Sequence, residues 1–189
     1  MSDFLFGYGS MMNPRSAGRA LKRDVRLADL VPASLHGYSR RWSLKEQVRS
    51  EKLGREVTAV FLDLGPDNGA RSNGVLIEIT PLTLDYLRQR EKNYEGIDVT
   101  ASIDVHTGPH SALPGTSRVY TFIGRPEFVV RKADTGLFVM ERYVKIVEDA
   151  CAALGPAFER DYAASTEPIR FPRVEGAYVF VDQEQAKHV

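Results

Sequence analysis

Phe4-Leu5-Phe6-Gly7-Tyr8-Gly9-Ser10-Met11-Met12 opens apolar and aromatic and then runs straight into glycines. The pattern predicts a short buried strand that ends in a tight turn. Asn13-Pro14 follows as a helix start, with Asn13 at the N-cap and Pro14 at the first helical position. Further along, residues 25–45 read as extended, alternating pieces broken by Pro32 and Gly37. Residues 57–64 are a strand rich in β-branched and aromatic side chains, 65–69 carry turn chemistry, and 74–79 form the next strand. Thr80-Pro81 starts a helix over 81–91 that uses Leu82, Leu84 and Leu87. Residues 97–106 alternate apolar and polar, which predicts a half-buried strand; 107–115 read as a loop and 118–123 as another strand. Leu137, Met140, Tyr143, Val144 and Val147 fall at helical spacing within 134–154. Gly155-Pro156 interrupts before a second helical stretch to about residue 164, and 177–181 suit a closing strand. With no repeat or low-complexity linker, residues 1–189 read as a single α+β domain, its strands curled toward a barrel with helices alongside.

The composition is consistent with that organisation. The chain has 189 residues and is 43% hydrophobic, enough for one sizeable core, since single domains run to ~100–200 residues. Lysine and arginine number 25 against 25 aspartate and glutamate. No basic face is dictated, so a nucleic-acid partner is not expected. Cys151 has no partner cysteine, which fits a reducing compartment. It sits in an amphipathic helical pattern with no adjacent histidine or cation, the setting of a buried structural thiol. The first five residues lack the features of a signal peptide, and no run approaches the ~18–20 apolar residues of a membrane span. A cytoplasmic protein without a membrane partner is expected.

Two segments offer chemistry. Gly7-Tyr8-Gly9 after a strand brings backbone close to a ligand, and free N–H groups in such a turn bind a carboxylate or oxyanion. An ordinary tight turn fits the same residues. A dinucleotide fingerprint does not, because Met12 stands where a small residue is needed. A P-loop is excluded by the lack of Gly-Lys-Ser/Thr. The second segment is Arg90-Glu91-Lys92-Asn93-Tyr94-Glu95 at the end of the 81–91 helix. A carboxylate there either points into a cavity, where desolvation raises its pKa toward proton-shuttling range, or lies solvated among Arg88, Arg90 and Lys92. His106 and His110 are separated by Gly108-Pro109, and the single cysteine completes no metal motif, so no metal is expected. Ser10 lacks a nucleophile-elbow context. Tyr8, Tyr38, Trp42 and Tyr120 read as core unless they border one cavity.

These motifs, in this order, resemble a known family. Phe6-Gly7-Tyr8-Gly9-Ser10-Met11 resembles the Tyr-Gly-Ser-Leu/Asn motif of the γ-glutamylcyclotransferase-like superfamily. Gly37-Tyr38-Ser39-Arg40-Arg41-Trp42 is similar to the Gly-Tyr-x-Arg-Arg-Phe segment of its ChaC-like branch, and Arg90-Glu91-Lys92-Asn93-Tyr94 to that branch's Arg-Glu-Lys-Gly-Gly-Tyr. Gly155-Pro156 with Asp161-Tyr162 is similar to the branch's C-terminal helical part. Met11 and Asn93 depart from the pattern, and Glu95-Gly96 resembles a pair in other branches, which makes Glu95 a rival to Glu91. The resemblance implies a mixed β-barrel with flanking helices. It implies Phe6, Gly7, Tyr8, Gly9, Ser10 and Met11 as the cradle for a small γ-glutamyl substrate, Glu91 as the catalytic carboxylate, and Tyr120 as a further substrate contact. The implied activity is cyclisation of a γ-glutamyl group to 5-oxoproline without metal or cofactor. A γ-glutamylamine cyclotransferase and a non-catalytic binding module on the same fold are the alternatives.

Overall fold

The computed structural model describes residues 3–106 and 115–182. Strand β1 (Asp3–Gly7) is buried at four of its five positions, as its unbroken apolar run requires of a central strand. It pairs antiparallel with β3 (Arg55–Ile79), Leu5 opposite Ile77, and parallel with β6 (Val119–Gly124), Leu5 beside Tyr120. Asn13 caps α1 (Pro14–Leu21) by accepting at Oδ1 from Arg15 N at 3.0 Å and Ser16 N at 3.2 Å, as the Asn-Pro start predicts.

The largest departure from the sequence reading is the length of the next strands. β2 (Val31–Ser50) is continuous through Pro32 and Gly37, and β3 is continuous through the stretch expected to turn at 65–69. Pro32 stays in the sheet through its carbonyl, which accepts from His106 N at 3.1 Å. Gly37, at φ +82°, makes a bulge in β2, and on β3 residues 67–70 swing out opposite it. There Gly69 N donates to Asp67 Oδ1 at 3.3 Å. The turn chemistry is real, but it shapes an excursion inside a strand rather than a reversal between strands.

Thr80 caps α2 (Pro81–Arg90) by accepting from Thr83 N at 3.2 Å, and the helix buries Leu84 and Leu87. The strand expected over 97–106 is two strands, β4 (Tyr94–Asp98) and β5 (Ile103–Val105), with a 3-10 turn at Thr100–Ser102 between them. Asp98 Oδ1 accepts from Thr100 N at 3.0 Å and Thr100 Oγ1 at 2.6 Å, and this Asx turn redirects the chain. β4 therefore pairs with β6, and β5 with β2. Of the loop expected over 107–115, only Gly115 lies among the described residues.

The helix expected from residue 134 starts later. Leu137–Met140 is strand β7, parallel to β3 at Thr58 and Ala59, and α3 (Glu141–Leu154) follows it. Pairing with a buried strand overrides the helical spacing of Leu137 and Met140, both buried there. α4 (Pro156–Ala164) and β9 (Tyr178–Phe180) agree with expectation; the short β8 (Arg173–Val174), parallel to β7, was not foreseen. The main sheet runs β4-β6-β1-β3-β2-β5, a mixed sheet with helices alongside and an open hydrogen-bonded path among the described residues. Its buried side chains form one core cluster, which includes Cys151, whose thiol burial pushes up to about 12. No described helix is long and apolar enough to cross a membrane.

β1 and β3 pass unusually close. A Cβ on Gly74 would stand 2.5 Å from the Gly7 carbonyl oxygen and 2.6 Å from the Phe6 ring. Gly74→Ala is therefore expected to cost about 1–3 kcal/mol, the usual penalty of an overpacked core. Urea unfolding checks this; a midpoint equal to wild type with unchanged m contradicts it.

Candidate active site

At the end of β1 the chain leaves the sheet through Tyr8 and Gly9 into a 3-10 turn, Ser10–Met12. Three contacts hold this path. Thr121 Oγ1 donates to Phe6 O at 2.9 Å, and Tyr8 OH donates to Phe122 O at 2.8 Å, so β6 grips the turn at two points. The third contact comes from α3, whose Tyr143 hydroxyl accepts from the backbone of Ser10 and of Leu62. A Cβ on Gly9 would lie 2.7 Å from that hydroxyl, and one on Gly7 would lie 2.8 Å from Met11 Cβ. Both glycines are thus required by close approach.

Glu91 approaches the same turn from the opposite side. It is the C-cap of α2, its N–H donating to Leu87 O at 2.8 Å and its carbonyl accepting from Tyr94 N at 3.0 Å. The side chain is 24% exposed and lines a cavity with residues 5–11, Leu62, Leu87, Tyr94, Phe122 and Tyr143. Burial raises its pKa above the ordinary glutamate range, and Arg90, with Nη1 3.4 Å from Oε1, opposes that rise. Burial also pushes the phenols of Tyr8, Tyr94 and Tyr143 upward, so all remain protonated at neutral pH. Tyr8 and Tyr94 spend their protons on the carbonyls of Phe122 and Leu62.

Phe6, Gly7, Tyr8, Gly9, Ser10, Met11 and Glu91 therefore meet around one cavity. Tyr120, on β6, does not line it; its ring centroid lies 5.7 Å from the Arg88 guanidinium on α2. Glu95 is exposed on β4, opposite Ile123, and also lies outside the lining. The Arg40-Arg41-Trp42 segment supports the site from behind. Trp42 packs edge-on against Tyr143 at 5.9 Å. Arg40 is fully buried and its Nη1 donates to Asn73 Oδ1 at 3.1 Å and Thr166 Oγ1 at 3.0 Å. His106 lies elsewhere, 2.5 Å from Ser34 Oγ, and His110 falls outside the described residues. Among the described residues no cluster of His, Cys, Asp and Glu is suited to a metal ion. Sequence reasoning missed Tyr94 and Tyr143 as site residues. Tyr94 stood inside the quoted motif, but Tyr143 carried only the signal of a helix core position.

Comparison with known proteins agrees with this architecture. A γ-glutamyl cyclotransferase superposes with a TM-score of 0.59 at 14% identity, over 93% of this chain and 94% of the other. A yeast γ-glutamyl cyclotransferase specific to glutathione gives 0.51 at 15%, over 89% and 99%. YkqA from Bacillus subtilis gives 0.53 at 22% over 88% of this chain, which spans 56% of that protein's length. Such identities speak for the fold alone. No curated protein matches the chain in sequence. The model of the family described as ChaC-like protein matches residues 4–147, from β1 into α3. This α+β chain, with its glycine turn and Glu91 both inside the matched region, belongs to the ChaC-like family.

Proposed function

We propose that the chain is a cytoplasmic, single-domain γ-glutamylcyclotransferase-type enzyme with Glu91 as its acid/base. The observation that carries this reading is the position of Glu91, a desolvated carboxylate facing the glycine turn across one small cavity. A non-catalytic binding module would not need a carboxylate partly withdrawn from water at that point. Family membership supports the reaction class. Glutathione and γ-glutamyl peptides are the leading substrates, and γ-glutamylamines are the alternative.

The reaction is an intramolecular transamidation. Glu91 takes a proton from the substrate's α-ammonium, and the freed amine attacks the γ-carbonyl carbon. A C–N bond forms and the amide C–N bond breaks. Glu91 returns the proton to the departing nitrogen, and the second proton that the attacking nitrogen sheds on becoming the lactam N–H passes to the released amine, so 5-oxoproline and an ammonium leave with no net proton change. The cavity's task is to fold the γ-glutamyl chain so that nitrogen meets carbon. A carboxylate with a raised pKa suits both transfers. In this reading the backbone N–H groups of the 7–11 turn hold the α-carboxylate or the developing oxyanion. Tyr143, whose hydroxyl oxygen already accepts from Ser10 and Leu62, has its own proton to offer substrate.

Turnover is read as 5-oxoproline released from glutathione, γ-glutamyl dipeptides and γ-glutamylamines; no product from any of them contradicts the proposal. Glu91→Gln is expected to lower kcat about 10²–10⁴-fold, whereas Glu95→Gln stays near wild type. The reverse pattern would transfer the role to Glu95. The wild-type kcat/KM is expected to rise with pH through an inflection above the ordinary glutamate range, as the base ionises. The sign for stability is opposite. A raised folded-state pKa favours the native state below the unfolded pKa, and that gain is lost as pH rises through the folded pKa. Glu91→Gln is therefore expected to match or exceed wild-type Tm at neutral pH, with the difference closing in acid. A Tm clearly below wild type at neutral pH contradicts the desolvated assignment.

The turn has its own test. Gly9→Ala is expected to cut turnover about tenfold or more, since roughly 1 Å of misplacement costs up to 10²-fold. Tyr143→Phe in the same chain, which removes the clashing oxygen, is expected to recover part of the Tm lost on adding the Cβ. Independent, additive Tm losses contradict the close contact.

A further inference from the structure

A second cavity opens beyond Glu91. It shares Ser10, Met11, Glu91, Tyr94 and Tyr143 with the first and is the larger, about 140 Å³ against about 90 Å³. Its wall differs in chemistry. Phe61, Tyr178 and Phe180 line it, with ring centroids 5.9 Å apart for Phe61 and Tyr178, 5.4 Å for Phe61 and Phe180, and 5.7 Å for Tyr178 and Phe180. Phe61 also meets Tyr143 edge-on at 4.8 Å, so one aromatic cluster runs from the glycine turn to β9.

The position of β9 explains this wall. Its pairing with residues 48–50 of β2 puts Tyr178 and Phe180 on the cavity side and leaves Val179 53% exposed on the other. β9 lies beyond residue 147, where the family match ends. The aromatic wall is thus supplied largely by a segment outside the part of the chain matched to the family.

Cations complete the wall. Arg19, exposed on α1, and Arg90 both line the cavity. The Nε and Nη1 of Arg90 are buried without a hydrogen-bond partner among the described residues, while Nη1 forms an ion pair with Glu91 Oε1 at 3.4 Å. Arg19 forms no ion pair among the described residues. Glu46, on the same wall, accepts from Asn93 Nδ2 at 2.6 Å.

We infer that the second cavity receives the departing half of the substrate and selects an amino acid or peptide with a free carboxylate and a large apolar side chain. The inference rests on the cyclotransferase reading and deepens it. With the γ-glutamyl group in the smaller cavity, the scissile nitrogen sits at Glu91 and the rest of the leaving group extends past it. An apolar side chain is stabilised by removal from water against Phe61, Tyr178 and Phe180. A guanidinium with unused N–H groups matches a carboxylate. Arg90 and Phe180 are accordingly specificity residues for the leaving group, with Arg19 and Tyr178 beside them.

The test compares γ-glutamylphenylalanine, γ-glutamylalanine and γ-glutamylphenethylamine, which lacks the carboxylate, on the full chain. The expected kcat/KM for the phenylalanine compound exceeds that of the alanine compound by about tenfold or more, the usual worth of an apolar pocket. Removing the carboxylate is expected to cost about tenfold or more, as for a lost charge-assisted hydrogen bond. Phe180→Ala should collapse the first ratio and leave the second, and Arg90→Gln should do the reverse. Each ratio is read within one variant, so loss of folded protein cancels. Equal kcat/KM for the phenylalanine and alanine compounds, or faster turnover of the amine, overturns the inference. If none of the three is turned over while glutathione is, the inference fails and the cyclotransferase reading stands; if glutathione too gives no product, the cyclotransferase reading fails by itself. Calorimetric binding of the same three compounds to Glu91→Gln then decides the pocket, with the same order supporting it and equal affinities refuting it.

Discussion

The structure depends on a backbone that passes closer to its neighbours than a side chain would allow. At Gly9 the absent Cβ is the space taken by the Tyr143 hydroxyl, and at Gly7 it is taken by Met11. At Gly74 it lets β3 lie against the Gly7 carbonyl. These contacts place β1 between β3 and β6, seat α3 on the end of the sheet, and leave a cavity where the strand turns out of it. The glycines serve the site because they first serve the packing. A turn built of larger residues would displace α3, and with it Tyr143 and the aromatic cluster behind the cavity.

Glu91 acquires its properties from the same arrangement. A helix C-terminus presents unpaired carbonyls and disfavours negative charge. Burial adds to that effect, and the adjacent Arg90 offsets part of it. The carboxylate's pKa is thereby raised above the ordinary glutamate range by burial, with the Arg90 ion pair opposing the rise. The phenols around it are kept neutral by burial, and those of Tyr8 and Tyr94 are committed to backbone carbonyls. They shape the cavity without competing for the proton.

Much of this was legible in the sequence because the signals were local. The strand-to-glycine run at residues 4–12, the Asn13 and Thr80 caps, and the carboxylate at the end of α2 all express short-range chemistry. What was illegible depended on distant partners. Residues 65–69 carry turn chemistry, yet they lie opposite the Gly37 bulge within a strand of 25 residues, since β2 supplies a partner on both sides. Leu137 and Met140 keep helical spacing with α3 but pair with β3 as strand. Tyr143 looks like any core residue of an amphipathic helix, and only the fold brings its hydroxyl to Gly9 and Ser10. Tyr120 shows the converse: the resemblance put it at the substrate, and the fold turns its ring toward Arg88. Tyr178 and Phe180 gave no signal beyond a closing strand, because their role depends on Phe61 far earlier in the chain.

The central claim is that Glu91 is a desolvated carboxylate facing the γ-glutamyl site. The most direct measurement is the ionisation of that group itself, followed by carboxyl ¹³C resonances across pH and assigned by the signal lost in Glu91→Gln. The account predicts a titration above the ordinary glutamate range that shifts further when a γ-glutamyl ligand fills the cavity. A resonance that titrates in the ordinary range and ignores the ligand would contradict it.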